Sequence, residues 1–259
     1  MKSFGLLKTA GLNAPSYVSR SCVECGCTKG RRIREVFALP TTKDSILDGF
    51  WDQHYRSFSE DEPSPFCKDV LGEALGASDV LVELGCGNGR DGAWIAQRCS
   101  HYIGLDNSAS AIEASERRFR RLALPPSTFQ LAVSDFSAFD FSMAPKGNLI
   151  VYSRFSLHSD TEQAEDALLR RLAEVVDRPL TVFIEVRTIY DELFGSGQQV
   201  GRNAFVTDHY RRFVDPSELR AKLERNFRID FFKVSRGFAP YQQEDPQVLR
   251  VQFGNRVPQ

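Results

Sequence analysis

The sequence predicts an α/β fold: a doubly wound, mostly parallel seven-stranded sheet with an antiparallel C-terminal strand. Three observations carry this expectation. From Val80 onward, short apolar runs alternate with helical patterns, which gives parallel strands joined by helical crossovers on both faces. The first run, Val80–Leu84, turns through glycines at 85, 87 and 89 and passes at once into a helical pattern through Trp94, Ile95 and Ala96. Such a sequence reads as buried strand, tight turn and helix start. The last two apolar runs are joined by a loop too short for a helical crossover, so that pair is antiparallel.

The elements follow in chain order. Residues 1–45 lack sustained periodicity and read as an N-terminal extension. Within it, Cys22, Cys25 and Cys27 form one cysteine knuckle, half of a four-ligand zinc shell. Cys67 or His54 would have to fold back to complete it. Reduced cysteines without metal are the favoured reading there. The basic run Lys29, Arg31, Arg32 and Arg34 reads as a solvated face. Residues 46–77 read as a helical lid, rich in aromatics at Phe50, Trp51 and Tyr55 and broken by Pro63-Ser64-Pro65. Trp51 and Tyr55, one helical turn apart, share a face.

Residues 78–259 form the main domain. After the strand at 80–84 come a helix over 89–99 and a strand over 101–106, ending in Asp106. Ser108 caps a helix to Arg121. A strand over 128–134 runs into Asp135 and Phe136, and another spans 148–152. Asp160 is expected to cap a helix to Val176. A strand over 180–186 opens into a long insertion, 188–214. Asp215 caps the helix from Pro216 to Arg225, with proline in its first turn. Strands near 227–236 and 247–253 close the chain.

Bulk properties narrow the function. The chain has 259 residues and a formal net charge of −1, so a broad electrostatic grip on nucleic acid is not expected. No apolar run approaches the ~20 residues of a membrane helix. No secretory leader is read, and cysteine usage suits a reducing cytoplasm.

The glycine loop sorts the cofactor classes. A dinucleotide site wants G-x-G-x-x-G packed on a pyrophosphate. Here Arg90 stands at the third glycine position, which disfavours a nicotinamide enzyme. Asp106 lies roughly 20 residues past the first glycine, the spacing at which an acid meets ribose hydroxyls. A carboxylate accepts from two vicinal hydroxyls and repels phosphate, so it suits a nucleoside. Asp135 reads either as a ligand contact or as a turn and cap residue.

Glu83-Leu84-Gly85-Cys86-Gly87-Asn88-Gly89 resembles motif I of the class I S-adenosylmethionine-dependent methyltransferases, and the resemblance covers about 78–259. It implies a Rossmann-like sheet and S-adenosyl-L-methionine as cofactor, leaving as S-adenosyl-L-homocysteine. It implies that Glu83, Gly85, Cys86, Gly87 and Gly89 receive the methionine part, that Asp106 meets the ribose, and that Asn107 is a further cofactor contact. It further implies that Asp135 meets the adenine amino group, that Phe136 packs on the ring, and that Tyr55 and Ser153 add contacts.

Open α/β sheets bind ligands beyond the carboxyl ends of their strands, which places the acceptor at the fourth and fifth strand ends. The fourth leads into Ser153-Arg154-Phe155-Ser156-Leu157-His158 and the fifth into Glu185-Val186-Arg187. The insertion adds His209, Tyr210, Arg211 and Arg212. Connections in compact domains run ~4–6 residues, so one this long is usually functional. Arginine forks suit carboxylate or phosphate, making Arg154, Arg187, Tyr210, Arg211 and Arg212 the candidate acceptor contacts. The competing reading pairs the arginines with Glu185, Asp191, Glu192 and Asp208 simply to order the loop. The segments Y-S-R-F-S-L-H and D-H-Y-R-R-F resemble a bacterial subgroup of that family linked to cell-surface glycan and small-metabolite pathways.

The expected activity is methyl transfer to a small anionic or sugar-type acceptor, at oxygen, in a biosynthetic pathway. His158 is the candidate group that takes the acceptor proton, and His209 the one that orients the acceptor. No metal is assigned to the site. The alternatives are a nucleic-acid or protein methyltransferase, or a catalytically silent cofactor-binding subunit. No N/D-P-P-Y/F tetrapeptide, the mark of amino-methylating nucleic-acid enzymes, follows the fourth strand.

Overall fold

The structure, a computed structural model, describes residues 43–57 and 61–256. The cluster Cys22, Cys25 and Cys27 and the basic run 29–34 lie outside the described residues. Two helices come first, α1 (Lys43–Ser57) and α2 (Pro65–Leu71). Then follow β1 (Val80–Leu84), α3 (Arg90–Ile95), β2 (His101–Asp106), α4 (Ala109–Arg121), β3 (Phe129–Val133), β4 (Leu149–Arg154), α5 (Glu162–Ala173) and β5 (Leu180–Arg187). The short strands β6 (Gln198–Gly201), β7 (Ala204–Val206) and β8 (Tyr210–Arg212) precede α6 (Pro216–Asn226), β9 (Phe227–Ser235) and β10 (Val248–Asn255).

The main sheet has seven strands in the order β3-β2-β1-β4-β5-β10-β9. All pairs are parallel except those of β10, which runs antiparallel to β5 and β9. Strand order reverses between β1 and β4, and the crevice opens beyond their carboxyl ends. β1 is buried along its whole length, as a central parallel strand must be with helices on both faces. Val80, Val82 and Leu84 join Leu149, Val151, Leu168 and Leu172 on one face. Leu81 joins Ile150, Tyr102, Tyr152 and Phe119 on the other.

Local chemistry sets most helix ends. Ser64 caps α2 with Pro65 in its first turn, and Ser108 caps α4 by accepting from the Ala111 N–H. Asp215 caps α6 as expected. The cap of α5 is Thr161, not Asp160: the Thr161 hydroxyl accepts from the Ala164 N–H. Asp160 instead accepts from the Thr161 N–H at 2.7 Å, one residue early. Helix α5 ends at Ala173, and α3 stops at Ile95, short of the expected 99.

The insertion 188–214 holds a small antiparallel sheet, β6-β7-β8. Its strands span three or four residues, too few to show a period in sequence. Its base is tied to β5 where the Val214 N–H donates to the Arg187 carbonyl and the Ile189 N–H to the Val214 carbonyl. Phe194, Phe205 and Phe213 pack edge to face beneath it, with centroids 5.3–6.1 Å apart.

Candidate active site

A cavity of about 520 Å³ opens at the β1/β4 switch point. That size lies within the range of small-molecule sites. One half is built by the glycine loop. Gly85, Gly87 and Gly89 have φ of 73°, 55° and 72°, a region costly for any residue with a Cβ. A Cβ on Gly85 would lie 2.5 Å from Ser156 Oγ, and one on Gly87 would lie 2.6 Å from the Tyr55 hydroxyl. The loop is pinned by the Gly85 and Cys86 N–H groups, both donating to the Leu105 carbonyl.

Asp106, at the end of β2, accepts from the Gly87 N–H through one oxygen and from the Ser108 N–H through the other, each at 2.9 Å. Each oxygen keeps a further lone pair, and the residue lines the cavity. Burial raises its pKa, against the pull of the two N–H groups. Asp135 lines the cavity while its Oδ1 caps the next turn through the Ser137 N–H, which realises the turn-and-cap reading. Asn107 and Phe136 both line the cavity, the first exposed and the second buried.

Glu83 is 4 % exposed and accepts from the Tyr102 hydroxyl at 2.6 Å. Burial, with the nearby Asp91 carboxylate, raises its pKa well above the usual range. Asp91 itself takes the Ser64 N–H and hydroxyl and the Tyr152 hydroxyl. This buried network fixes the start of α2 against the loop.

Helix α1 borders the glycine-loop half of the cavity. The Ser108 hydroxyl and the Ser110 N–H donate to Asp52, at 2.5 and 3.1 Å, tethering α1 to the start of α4. Trp51, His54 and Tyr55 line the cavity from this helix.

The other half joins β4, β5 and the insertion. Arg154, Arg187 and Arg211 line it, as do His158 and His209. Each arginine also has an acid partner: Arg154 Nε is 3.0 Å from Glu185, Arg187 3.1 Å from Asp191, and Arg211 3.0 Å from Asp208. His158 is 5 % exposed and its Nδ1 has no hydrogen-bond partner. Burial, followed by Arg187, His209, Arg211 and Arg212, holds its pKa well below the usual 6.5. His209 stacks on Phe50 at 4.2 Å. Its Nδ1 lies 3.1 Å from Asp208, at ion-pair distance without hydrogen-bond alignment. Burial, then Arg211, lowers its pKa to about 4.

These neutral histidines make stability depend on pH. An unfolded histidine binds a proton near 6.5, while folded His209 refuses it until about 4. Stability present above the unfolded value is therefore lost as pH falls through this window. His209 alone makes the chain about 2 kcal/mol less stable at pH 5 than at pH 7. Urea denaturation at the two pH values checks this, and equal midpoints would contradict it.

Four sequence candidates do not line the cavity. Gly89 caps α3 and faces Ser115. Ser153 is fully buried within the sheet on the face of Leu149 and Val151, and its hydroxyl lacks a partner. Tyr210 packs with Ala204 and Val206 inside the insertion. Arg212 is a buried tie: it donates to the Asp160 and Leu157 carbonyls and to Glu165 at 2.8 Å. Side chains alternate along a strand, so β8 sends Arg211 to the cavity and its neighbours away from it.

Other lining residues were not singled out in the sequence. Phe155 carries φ of 57°, an uncommon conformation for a bulky residue. Arg154 lies over its ring at 4.6 Å. Ala239, Tyr241, Glu244 and Pro246 come from the loop between β9 and β10. Hairpin loops usually run about 2–5 residues, and the length of this one was the available signal. Among the described residues, no cluster of three or more His, Cys, Asp or Glu is placed to hold a metal ion. None of the described helices is long and apolar enough to cross a membrane.

Solved structures share this fold. A S-adenosylmethionine-dependent methyltransferase from Methanosarcina mazei is 15 % identical, with 76 % of this chain and 100 % of that one covered and a TM-score of 0.60. Magnesium protoporphyrin IX methyltransferase from Synechocystis, with bound S-adenosylhomocysteine, is 14 % identical, with 83 % and 97 % covered and a TM-score of 0.56. The N-methyltransferase NodS from Bradyrhizobium japonicum, in complex with S-adenosylhomocysteine, is 16 % identical, with 80 % and 100 % covered and a TM-score of 0.53. No curated protein matches the chain. Residues 81–178 match the family model of a methyltransferase domain, a span that includes the glycine loop, Asp106, Asp135 and Phe136. Residues 81–178 therefore carry a methyltransferase domain, and the chain is an S-adenosylmethionine-dependent methyltransferase whose fold is that of the solved enzymes above.

Proposed function

We propose that this enzyme methylates an oxygen of a small anionic acceptor in a biosynthetic pathway. The carrying observation is the acceptor half of the cavity, where Arg154, Arg187 and Arg211 converge with two histidines kept neutral. Burial is the first cause of that neutrality and disfavours any buried charge; the flanking arginines, the second cause, disfavour an ammonium and favour an oxyanion. An acidic hydroxyl or carboxylate suits this environment better than a protonated amine.

The residues fit the cofactor. The glycine loop leaves room where a Cβ would strike Tyr55 or Ser156, and Asp106 offers acceptor lone pairs to a ribose. Asp135 and Phe136 take the adenine, and Glu83 with the loop takes the methionine part. S-adenosylmethionine supplies a methyl group on a sulfonium, which leaves as a neutral thioether. The chain's own task is then to align the acceptor and remove its proton. His158, neutral and with an unpartnered buried nitrogen, takes or relays that proton. Because its basicity is low, it serves an acceptor that is itself acidic. His209, fixed by Phe50 and Trp51, orients the acceptor. Trp51 and Tyr55 cover the cofactor, and alignment supplies much of the acceleration. Three described cysteines are free thiols, which suits a reducing compartment such as cytoplasm.

The test is an acceptor trap. Methyl-labelled S-adenosylmethionine and a source-cell extract are incubated with the enzyme, and products are separated by mass. Label in a low-mass fraction with base-labile or ether-type linkage is expected, and His158→Ala should lower its yield. Label confined to polymer, or to amines, would overturn the reading.

A further inference from the structure

We propose that Glu244 occupies the seat of the acceptor's anionic group on Arg187 and is exchanged for it, so that the site selects acceptors carrying a carboxylate or phosphate. This inference rests on the anionic-acceptor reading above.

Arg187 stands at the end of β5 and lines the cavity, as does Glu244. The two sides of its guanidinium carry different counter-ions. One terminal nitrogen donates to both oxygens of Asp191, at 3.1 and 3.2 Å. The Asp191 side chain is 1 % exposed and also accepts from the Leu193 and Gln247 N–H groups. That carboxylate is fixed, since breaking a buried pair leaves an uncompensated charge. The other terminal nitrogen donates to Glu244 at 2.5 Å. The Glu244 side chain is 56 % exposed against 12 % for Arg187, and a pair whose acid stands largely in water contributes little net stability.

The charges then decide the order of events. One guanidinium already faces two carboxylates, so an entering anion would be the third. It gains Arg187 only when the exposed carboxylate departs. The departure leaves the loop intact, because other groups hold it. Arg236 pairs with Glu192 at 2.7 Å, the Gly237 N–H donates to Asp245, and Arg250 donates to the Phe238 carbonyl. Glu244 is itself tied to Tyr241 through its main chain at 2.9 Å in both directions. Its side chain is free to turn outward while its backbone stays in place. The loop between β9 and β10 thus supplies a resident anion that a neutral acceptor gains nothing by displacing.

Inorganic phosphate serves as the probe, titrated into enzyme saturated with S-adenosylhomocysteine and followed by phosphorus NMR line width. Wild type, Glu244→Gln and Glu244→Ala are compared. Arg187→Gln, checked for fold by circular dichroism, serves as the site control. Both Glu244 variants should bind phosphate about fivefold more tightly than wild type, the factor equivalent to an exposed ion pair, and Arg187→Gln should lose the binding. Equal or weaker affinity in the Glu244 variants, with the loss in Arg187→Gln retained, overturns the exchange but leaves the anionic-acceptor reading standing. No phosphate binding to any of the proteins overturns that reading and this proposal together.

Discussion

Asp106→Asn is expected to weaken S-adenosylhomocysteine binding by about a hundredfold or more while leaving the fold intact. The substitution preserves shape and removes charge. Both carboxylate oxygens accept a backbone N–H, from Gly87 and from Ser108. An asparagine must therefore aim its own NH₂ at one of these donors, leaving a donor facing a donor. Remaining contacts to ribose hydroxyls lose their charge assistance, and hydrogen bonds to charged groups are worth about 1.5–3 kcal/mol each. Two such contacts account for the predicted factor. Calorimetric titration of the variant measures it, with circular dichroism to confirm folding. An affinity within threefold of wild type would remove Asp106 from the cofactor site.

Gly87→Val should be comparably damaging for a different reason. At φ 55°, a β-branched residue is strained by about 1–2 kcal/mol or more. Its Cβ would also lie 2.6 Å from the Tyr55 hydroxyl and 3.0 Å from the ring carbon bearing it. Either Tyr55 moves, lifting the lid helix off the loop, or the loop moves and withdraws the Gly87 N–H from Asp106. Both routes open the cofactor half of the cavity. The expected result is a loss of S-adenosylhomocysteine affinity of at least tenfold, with a melting temperature lowered by only a few degrees. Affinity unchanged from wild type would show that the loop does not carry the cofactor.

The glycine-loop half of the cavity was legible in the sequence because its chemistry is local. Gly85, Gly87, Asp106 and Asp135 sit at strand ends set by turn chemistry, and short apolar runs mark those ends. The antiparallel pairing of β9 with β10 was legible from loop length alone. The half formed by β4, β5 and the insertion was only partly legible. Arg154, Arg187 and Arg211 stood out by type, yet nothing in the residue run D-H-Y-R-R-F separated Arg211, at the cavity, from Arg212, buried against Glu165. That distinction is the alternation of β8, a three-residue strand too short to announce itself. Ser153 was misplaced for the same reason, since its face of β4 is set by which neighbour packs where. Glu244 escaped notice because its approach to Arg187 spans 57 positions, a contact made only by the antiparallel return of β10.

The most direct test of the central claim is a calorimetric titration of the purified enzyme with S-adenosylhomocysteine, run beside one with a nicotinamide dinucleotide. One-to-one saturable binding of S-adenosylhomocysteine, lost in Asp106→Asn, and no heat from the dinucleotide is the predicted result. Binding of the dinucleotide with none of S-adenosylhomocysteine would contradict the account of the glycine loop, and the assignment of the strand-end residues would fall with it.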